Sequence, residues 1–141
     1  MGMDLFSKRC CIYIFYCLDI LMSYEMKGIR CFLNSKIHNA VCTHTDVDYE
    51  GSILIDEDYM DEVGLLTHEQ VDVYNKTNGN RHTTYVLPLP RGSNRVEVNG
   101  AGAHLTDVGD ELIICSYILL DTNLEVLPLR HEPKIKIIEN N

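Results

Sequence analysis

Short stretches of apolar or alternating residues, separated by turn-forming residues, run through the chain from residue 29 onward. Most are too short for a globular helix and rich in β-branched residues, which favours strands. The predicted strands are Ile29–Leu33, Ile37–Thr45, Ser52–Ile55, Gln70–Tyr74, Arg81–Leu89, Arg95–Val98 and Leu112–Leu120, with a weaker pair inside Leu124–Ile138. Many short strands joined by turns are typical of a small β-barrel, so the predicted fold class is mainly β.

Turn and capping residues mark the ends of these segments. Asp56-Glu57-Asp58 offers an N-cap for a short helix over Tyr59–Val63, which Gly64 should end. Asn78-Gly79 predicts a hairpin between two strands. Pro88 and Pro90 are expected to end the second of those strands, because proline has no N–H to donate to a ladder.

Residues 1–25 differ from the rest. Their apolar run, Cys10–Leu18, is too short to span a bilayer, and no small-residue cleavage site follows it. We therefore expect no membrane partner. We interpret 1–25 as an N-terminal extension or as the result of a start assigned upstream of Met22 or Met26. Residues 26–141 are then expected to form one domain.

Charge and cysteine usage narrow the function classes. The net charge is −9 with no Lys/Arg-rich run, which argues against nucleic acid as a partner. An acidic protein that binds an acidic substrate needs a local cationic pocket, for which Lys36 and Arg81 are candidates. The six cysteines form no C-x-x-C, and the histidines have no metal-ligand spacing. We expect free thiols in a reducing cytoplasm and no metal.

Gly51-Ser52 is the pair with the most distinctive chemistry. Gly51 leaves its carbonyl open to attack, and the Ser52 hydroxyl follows at once. Attack would move the acyl group from nitrogen to oxygen; loss of the Ser52 α-proton would then break the ester. Water would convert the resulting dehydroalanine to a ketone, leaving a pyruvoyl group at a new chain start. The pair alone is weak, because Gly92-Ser93 repeats it and such pairs are ordinarily turns.

The motifs before and after Gly51-Ser52 make this pair more specific than an ordinary turn. In chain order they are Lys36-Ile37-His38, Thr43-His44-Thr45-Asp46, Tyr49-Glu50-Gly51-Ser52, Thr77-Asn78-Gly79-Asn80-Arg81, Thr84-Tyr85 and Val98-Asn99-Gly100-Ala101-Gly102-Ala103-His104. From about Met26 to about Leu120, this ordered set resembles the bacterial aspartate 1-decarboxylase family. The resemblance implies a double-psi β-barrel that cleaves itself between Gly51 and Ser52 into a short β chain and a longer α chain.

The resemblance also implies the activity. Such enzymes decarboxylate L-aspartate to β-alanine and CO2 for pantothenate biosynthesis, through a Schiff base on a covalent pyruvoyl group, here made from Ser52. They are homotetramers with active sites between neighbouring subunits. By the same resemblance Tyr85 is the proton donor, Thr84 binds substrate and holds the Gly51 carbonyl during processing, and substrate contacts the loop at Gly100, Ala101 and Gly102.

The remaining candidates follow from side-chain chemistry. Arg81 is suited to grip the distal carboxylate of aspartate in a bidentate manner, and Lys36 would add a second positive charge. Tyr49, Asn99 and His38 are supporting candidates that line or orient the site.

Two alternative functions stay open. One is a non-catalytic β-barrel that binds a small ligand, and the other is a pyruvoyl decarboxylase for another amino acid, such as glutamate. The first predicts no cleavage after Gly51, and the second predicts glutamate turnover at least equal to that of aspartate.

Overall fold

The structure is a computed structural model that describes residues 28–123 and 130–139. The predictions for residues 1–25, and for the part of Leu124–Ile138 up to residue 129, lie outside the described residues.

Strands dominate the described chain. They are β1 (Ile29–Val41), β2 (His44–Asp46), β3 (Ser52–Asp56), β4 (Gln70–Asn75), β5 (Arg81–Leu89), β6 (Val96–Asn99), β7 (Glu111–Asp121) and β8 (Lys134–Ile137). The α-helix α1 (Glu57–Val63) and a 3-10 helix, Gly100–His104, interrupt them. The prediction of a mainly β fold with short helices is confirmed.

The eight strands form one mixed sheet in the order β2-β6-β3-β5-β4-β7-β1-β8. β1 with β8, β2 with β6 and β3 with β5 are parallel pairs, whereas β3 with β6 and β4 with both β5 and β7 are antiparallel. Because several neighbours in the sheet are distant in sequence, the chain does not trace a simple meander. This arrangement is consistent with a small β-barrel.

The described chain divides into two compact units. The larger one comprises 32–118 and the described residues from 132 onward, and the smaller one comprises 28–31, 119–123 and 130–131. The larger unit holds a core of aliphatic side chains from its strands, including Ile37, Ile53, Ile55, Val71, Val73, Val86, Val98, Leu112 and Ile114. In the smaller unit, the backbone N–H and the hydroxyl of Thr122 both donate to the Gly28 carbonyl.

The junction of β3 with α1 is built around a buried carboxylate. The Asp56 carboxylate accepts a hydrogen bond from the Asp58 N–H, as predicted for an N-cap, and also from the N–H groups of Gly92 and Asn94. Gly64 ends the helix in the left-handed conformation, which confirms the predicted stop. Asp56 thus ties β3, the helix and the loop before β6 together.

One strand prediction was wrong in extent, because β1 runs without a break through residues where the sequence predicts two strands. β5 has the predicted bounds, with Pro88 inside the strand and Pro90 just after its end. β4 pairs with β5 only over Arg81–Tyr85, so at Pro88 the sole ladder is with β3 and the missing N–H is tolerated.

No helix within 28–123 or 130–139 is long and apolar enough to cross a lipid bilayer. The same residues contain no group of three His, Cys, Asp or Glu side chains arranged to hold a metal ion.

Candidate active site

The peptide between Gly51 and Ser52 lies where an exposed bend enters β3. Gly51 has φ 80° and Ser52 has φ 149°. A positive φ is ordinary for glycine but costs about 1–3 kcal/mol for a residue with a Cβ. The Gly51 N–H donates to the Tyr49 carbonyl at 2.6 Å, which closes a tight turn just before the strand. The Gly51-Ser52 peptide is therefore strained in the intact chain.

The Ser52 hydroxyl is buried yet uncommitted. Ser52 is 3% exposed, and its Oγ makes no hydrogen bond with any described residue. Asn99 lies directly opposite on β6, and its Oδ1 is likewise buried without a partner in the described chain. Opposed residues of an antiparallel pair are close neighbours on one face. The two side chains therefore lie on one face of the β3–β6 pair at the start of β3, without a hydrogen bond between them.

Tyr85 reaches the carbonyl that Ser52 would attack. Its hydroxyl donates to the Gly51 carbonyl oxygen at 2.8 Å. The contact follows from the parallel pairing of β3 with β5, where Ile53 is opposite Val86, so that Ser52 and Tyr85 occupy the preceding positions. Tyr85 is 39% exposed, so its ring is accessible from solvent. A hydroxyl in this place polarises the carbonyl and favours negative charge on its oxygen.

Thr84 sits beside Tyr85 but points differently. It is half-buried and opposite Val71 of β4, whereas Tyr85 is exposed. Its hydroxyl makes no hydrogen bond to Gly51 in the described chain. In the intact chain the hydroxyl that donates to the Gly51 carbonyl is that of Tyr85, and the role expected for Thr84 during processing stays a prediction.

The 3-10 helix that follows Asn99 closes over the strained peptide. Gly100 is buried with φ 65°, and a Cβ at that position would lie 2.5 Å from the Gly51 Cα. Only glycine allows this approach of two backbones. Ala101, the next residue, is exposed. Of the three small residues predicted from the sequence, Gly100 is therefore the one whose lack of a side chain allows contact with Gly51.

His82 is a neighbour of this turn that the sequence did not single out. A Cβ at Gly102 would lie 2.8 Å from His82 Nε2 and 3.0 Å from Val98 Cγ1. The Nε2 atom is buried without a partner in the described chain, and burial lowers the pKa of His82. The signal was weak, because a single histidine on a strand gives no hint of the turn that packs on it.

Arg81 is not directed toward Ser52. Its guanidinium carbon lies 4.9 Å from the centroid of the Tyr74 ring on β4. β4 and β3 flank β5 on opposite sides, so Arg81 leans one way while Tyr85 leans the other. Four residues of extended strand also separate Arg81 from Tyr85 by about 13 Å. Within one chain the predicted carboxylate grip and the predicted reactive centre do not come together.

The supporting candidates differ in their relation to the Gly51-Ser52 peptide. Tyr49 contacts it, whereas Lys36 and His38 show no bond to it in the described chain. Lys36 and His38 lie on β1, and burial followed by the charge of Lys36 lowers the pKa of His38. In the described chain no hydrogen bond or ion pair joins either of them to Ser52, Gly51 or Tyr85. Tyr49 is exposed and contributes its carbonyl to the turn at Gly51.

Comparison with known proteins agrees with the resemblance seen in the motifs. Residues 28–141 match the family model described as aspartate decarboxylase. The chain is 41% identical over 109 residues to a protein named aspartate 1-decarboxylase from Maricaulis maris (strain MCS10). That alignment covers 77% of this chain and 88% of the relative. With a family match across most of its length and a relative of this identity, the chain belongs to the aspartate decarboxylase family.

Proposed function

We propose that this chain is a proenzyme that cleaves itself between Gly51 and Ser52 and then acts as a cytoplasmic aspartate 1-decarboxylase. Its product would be β-alanine, formed with CO2 from L-aspartate, for pantothenate biosynthesis. The observation that carries the proposal is the buried, unbonded Ser52 hydroxyl beside a strained peptide whose carbonyl already accepts a hydrogen bond from Tyr85. Family membership supports the decarboxylase activity.

Processing uses groups already in place. The Ser52 Oγ attacks the Gly51 carbonyl carbon, the bond from that carbon to the Ser52 nitrogen breaks, and the hydroxyl proton ends on that nitrogen, which leaves an ester. The Tyr85 O–H stabilises the developing charge on the carbonyl oxygen. The positive φ of Ser52 is a strained conformation, and cleavage of the peptide bond before Ser52 relieves that strain. The domain 26–141 would then consist of a β chain ending at Gly51 and an α chain starting at residue 52.

After cleavage the residues around position 52 serve the second reaction. A pyruvoyl group there supplies a carbonyl that condenses with an amine and draws electrons away from Cα during decarboxylation. Tyr85, released from the Gly51 carbonyl, is placed to donate the proton that Cα requires. The small residues of the Gly100–Gly102 turn let a substrate carboxylate approach backbone N–H groups. Thr84 lies next to Tyr85 as a further substrate contact.

The divergence of Arg81 and Tyr85 supports a site shared between copies of the chain. An aspartate held by Arg81 could not reach residue 52 of the same subunit, because the two lie toward opposite neighbours of β5. A neighbouring subunit that presents its Arg81, with Lys36 adding positive charge, would complete the site. This arrangement fits the homotetramer expected from the family resemblance.

Denaturing mass spectrometry of the purified protein tests the proposal. We expect two fragments, one ending at Gly51 and one whose first residue has the mass of pyruvoyl in place of serine. Ser52→Ala should give one intact chain and no CO2 from aspartate. Ser93→Ala is the matched control, because Ser93 also follows a glycine of positive φ.

The outcome separates the alternatives. An intact wild-type chain after long incubation would contradict the proposal and favour a non-catalytic binding module. Cleavage with glutamate turnover equal to or above aspartate turnover would retain the pyruvoyl chemistry and overturn the substrate.

A further inference from the structure

We propose that Tyr117 is a positioning residue for substrate recognition, acting on Arg81 through Tyr74. This inference rests on the proposed function, in which Arg81 grips the distal carboxylate of aspartate. It adds a device that holds the guanidinium in place. The device consists of two tyrosines joined through their hydroxyl groups.

Arg81 and Tyr74 are opposed residues of the antiparallel β4–β5 pair. The guanidinium lies over the ring, with its central carbon 4.9 Å from the ring centroid. Such a contact is attractive because the ring face is electron-rich and the flat guanidinium stacks on it. The side chain of Arg81 is thereby held over β4 while its N–H groups remain available to a ligand.

Tyr74 is itself held at its far end. Its hydroxyl lies 2.8 Å from the hydroxyl of Tyr117, which extends from β7 on the other side of β4. The Tyr74 hydroxyl also donates to Asp72 Oδ2 at 3.3 Å, and Asp72 Oδ1 accepts from the Thr83 hydroxyl at 2.6 Å. The network links three adjacent strands and fixes the plane of the ring on which Arg81 rests.

The network also keeps the Tyr74 hydroxyl protonated. The hydrogen bond with Tyr117, followed by burial, raises the pKa of Tyr74 above its ordinary value. Deprotonation would bring a second negative charge close to Asp72, so the neutral ring is favoured at working pH. The Tyr74 ring therefore serves Arg81 as a platform of constant charge and position.

An arginine side chain has many rotamers, and binding a carboxylate requires one of them. Restricting Arg81 to one rotamer costs conformational entropy. A fixed aromatic ring restricts the side chain in the free enzyme, so less entropy is lost when the substrate binds. Without the Tyr117 hydroxyl the ring of Tyr74 is less constrained, and Arg81 samples orientations that do not bind. The change weakens substrate binding and leaves proton transfer at Tyr85 untouched.

Steady-state kinetics of the processed enzyme tests this. Tyr117→Phe should raise the KM for aspartate roughly three- to tenfold, the effect of one lost hydrogen bond, with kcat within about twofold of wild type. Tyr74→Phe, which removes the other hydroxyl, should act the same way. The double variant should be no worse than Tyr74→Phe alone, because that change already removes the bond between the two hydroxyl groups.

Tyr59→Phe is the matched control. The Tyr59 hydroxyl donates to Asn94 at 2.8 Å, and the Lys136 ammonium lies 4.7 Å from its ring centroid, so the same two kinds of contact are present elsewhere. This variant should leave KM unchanged. Fragment masses of each variant should show complete cleavage, since none of the three tyrosines contacts Gly51 or Ser52 in the described chain.

An unchanged KM for Tyr117→Phe, or a fall in kcat at constant KM, would overturn the inference. Failure of the proposed function looks different, because the wild-type chain would then stay uncleaved or release no CO2. A readout independent of turnover is the Arg81 side-chain Nε–H resonance. It should carry a ring-current shift in the intact protein that decreases in Tyr117→Phe and persists in Tyr59→Phe.

Discussion

At the residue scale, the candidate site depends on two glycines, which have no side chain, as well as on the side chains of Ser52 and Tyr85. Gly51 and Gly100 both adopt positive φ, and their backbones meet at a distance that leaves no room for a side chain. Ser52 is the one residue of the three with a Cβ, and it takes the strain. The Ser52 hydroxyl is thus held on a strained backbone, next to two positions where the close approach of the chains favours glycine.

Gly100→Ala should slow self-cleavage by at least about tenfold. The added Cβ would collide with the Gly51 Cα at 2.5 Å, and alanine is disfavoured at φ 65°. The turn or the bend must shift, which moves the carbonyl away from Ser52. The time course of fragment appearance by mass spectrometry measures the rate. Gly92→Ala, at a φ of 71° with open space around it, controls for backbone strain alone.

Tyr85→Phe should lower decarboxylation by the processed enzyme about 10²- to 10⁴-fold, the usual worth of a general acid. The phenylalanine ring keeps the packing but has no proton to deliver. The assay is CO2 release from aspartate by protein whose cleavage has been verified by mass. Retained turnover would mean that another group protonates Cα.

At the element scale, β5 carries groups for different tasks on its two faces. Arg81 and Tyr85 lie on the exposed face, while His82 and Thr84 lie on the more buried one. Successive residues of an extended strand point to opposite faces, so the sequence is enough to separate Thr84 from Tyr85. The sequence did not indicate which strands flank β5. In the structure β4 and β3 lie on its two sides, and Arg81 contacts a residue of β4 whereas Tyr85 contacts the residue before β3.

Gly102→Ala should destabilise the fold by about 1–3 kcal/mol through overpacking against His82. The new Cβ would lie 2.8 Å from His82 Nε2 and 3.2 Å from its Cδ2. His82→Ala frees that space, so the double variant should recover most of what Gly102→Ala loses relative to His82→Ala alone. Chemical denaturation at fixed protein concentration measures the coupling. Additive losses would show that Val98 is the obstacle instead.

Asp56→Asn should lower stability at neutral pH, and the difference from wild type should shrink in acid. Burial acts to raise the pKa of Asp56, but the backbone N–H groups of Asp58, Asn94 and Gly92 outweigh it and lower the pKa below 3.8. A carboxylate whose pKa is lower in the folded state than in the unfolded state stabilises the fold when the pH is above the unfolded-state pKa. That stabilisation is lost as the pH falls through the folded-state pKa. Urea midpoints at pH 7 and pH 3 would show it. A pH-independent difference would contradict the charge argument.

At the scale of the whole molecule, most strands could be predicted from the sequence, whereas the contacts around the candidate site could not. The short apolar runs located most strands, and the ordered motifs made Ser52, Tyr85 and the Gly100–Gly102 turn candidates. The pairings that place Tyr85 at Gly51 and Tyr117 at Tyr74 join residues distant in sequence. Such pairings depend on sheet order and register, which local patterns do not encode.

Mixed assemblies should reveal whether sites are shared. Ser52→Ala and Arg81→Ala should each be nearly inactive alone. Co-expressed and assembled at equal ratio, they should regain about a quarter of wild-type activity if Ser52 and Arg81 come from different subunits, because random mixing makes that share of sites intact. Co-expression of Ser52→Ala with Tyr85→Phe tests a pair that lies together in one chain. No recovery with Arg81→Ala would place its role within its own subunit.

The position of residue 52 at the head of β3 has a consequence for the molecule once it is cut. β3 is buried along its whole length and paired on both sides, with β5 and β6, while β1 and β2 before the cut remain paired with β8 and β6. Chain ends are ordinarily the loosest parts of a protein. Cleavage there, as proposed, would leave two polypeptides whose strands stay paired with each other, and the new chain start would be held inside the sheet by β5 and β6.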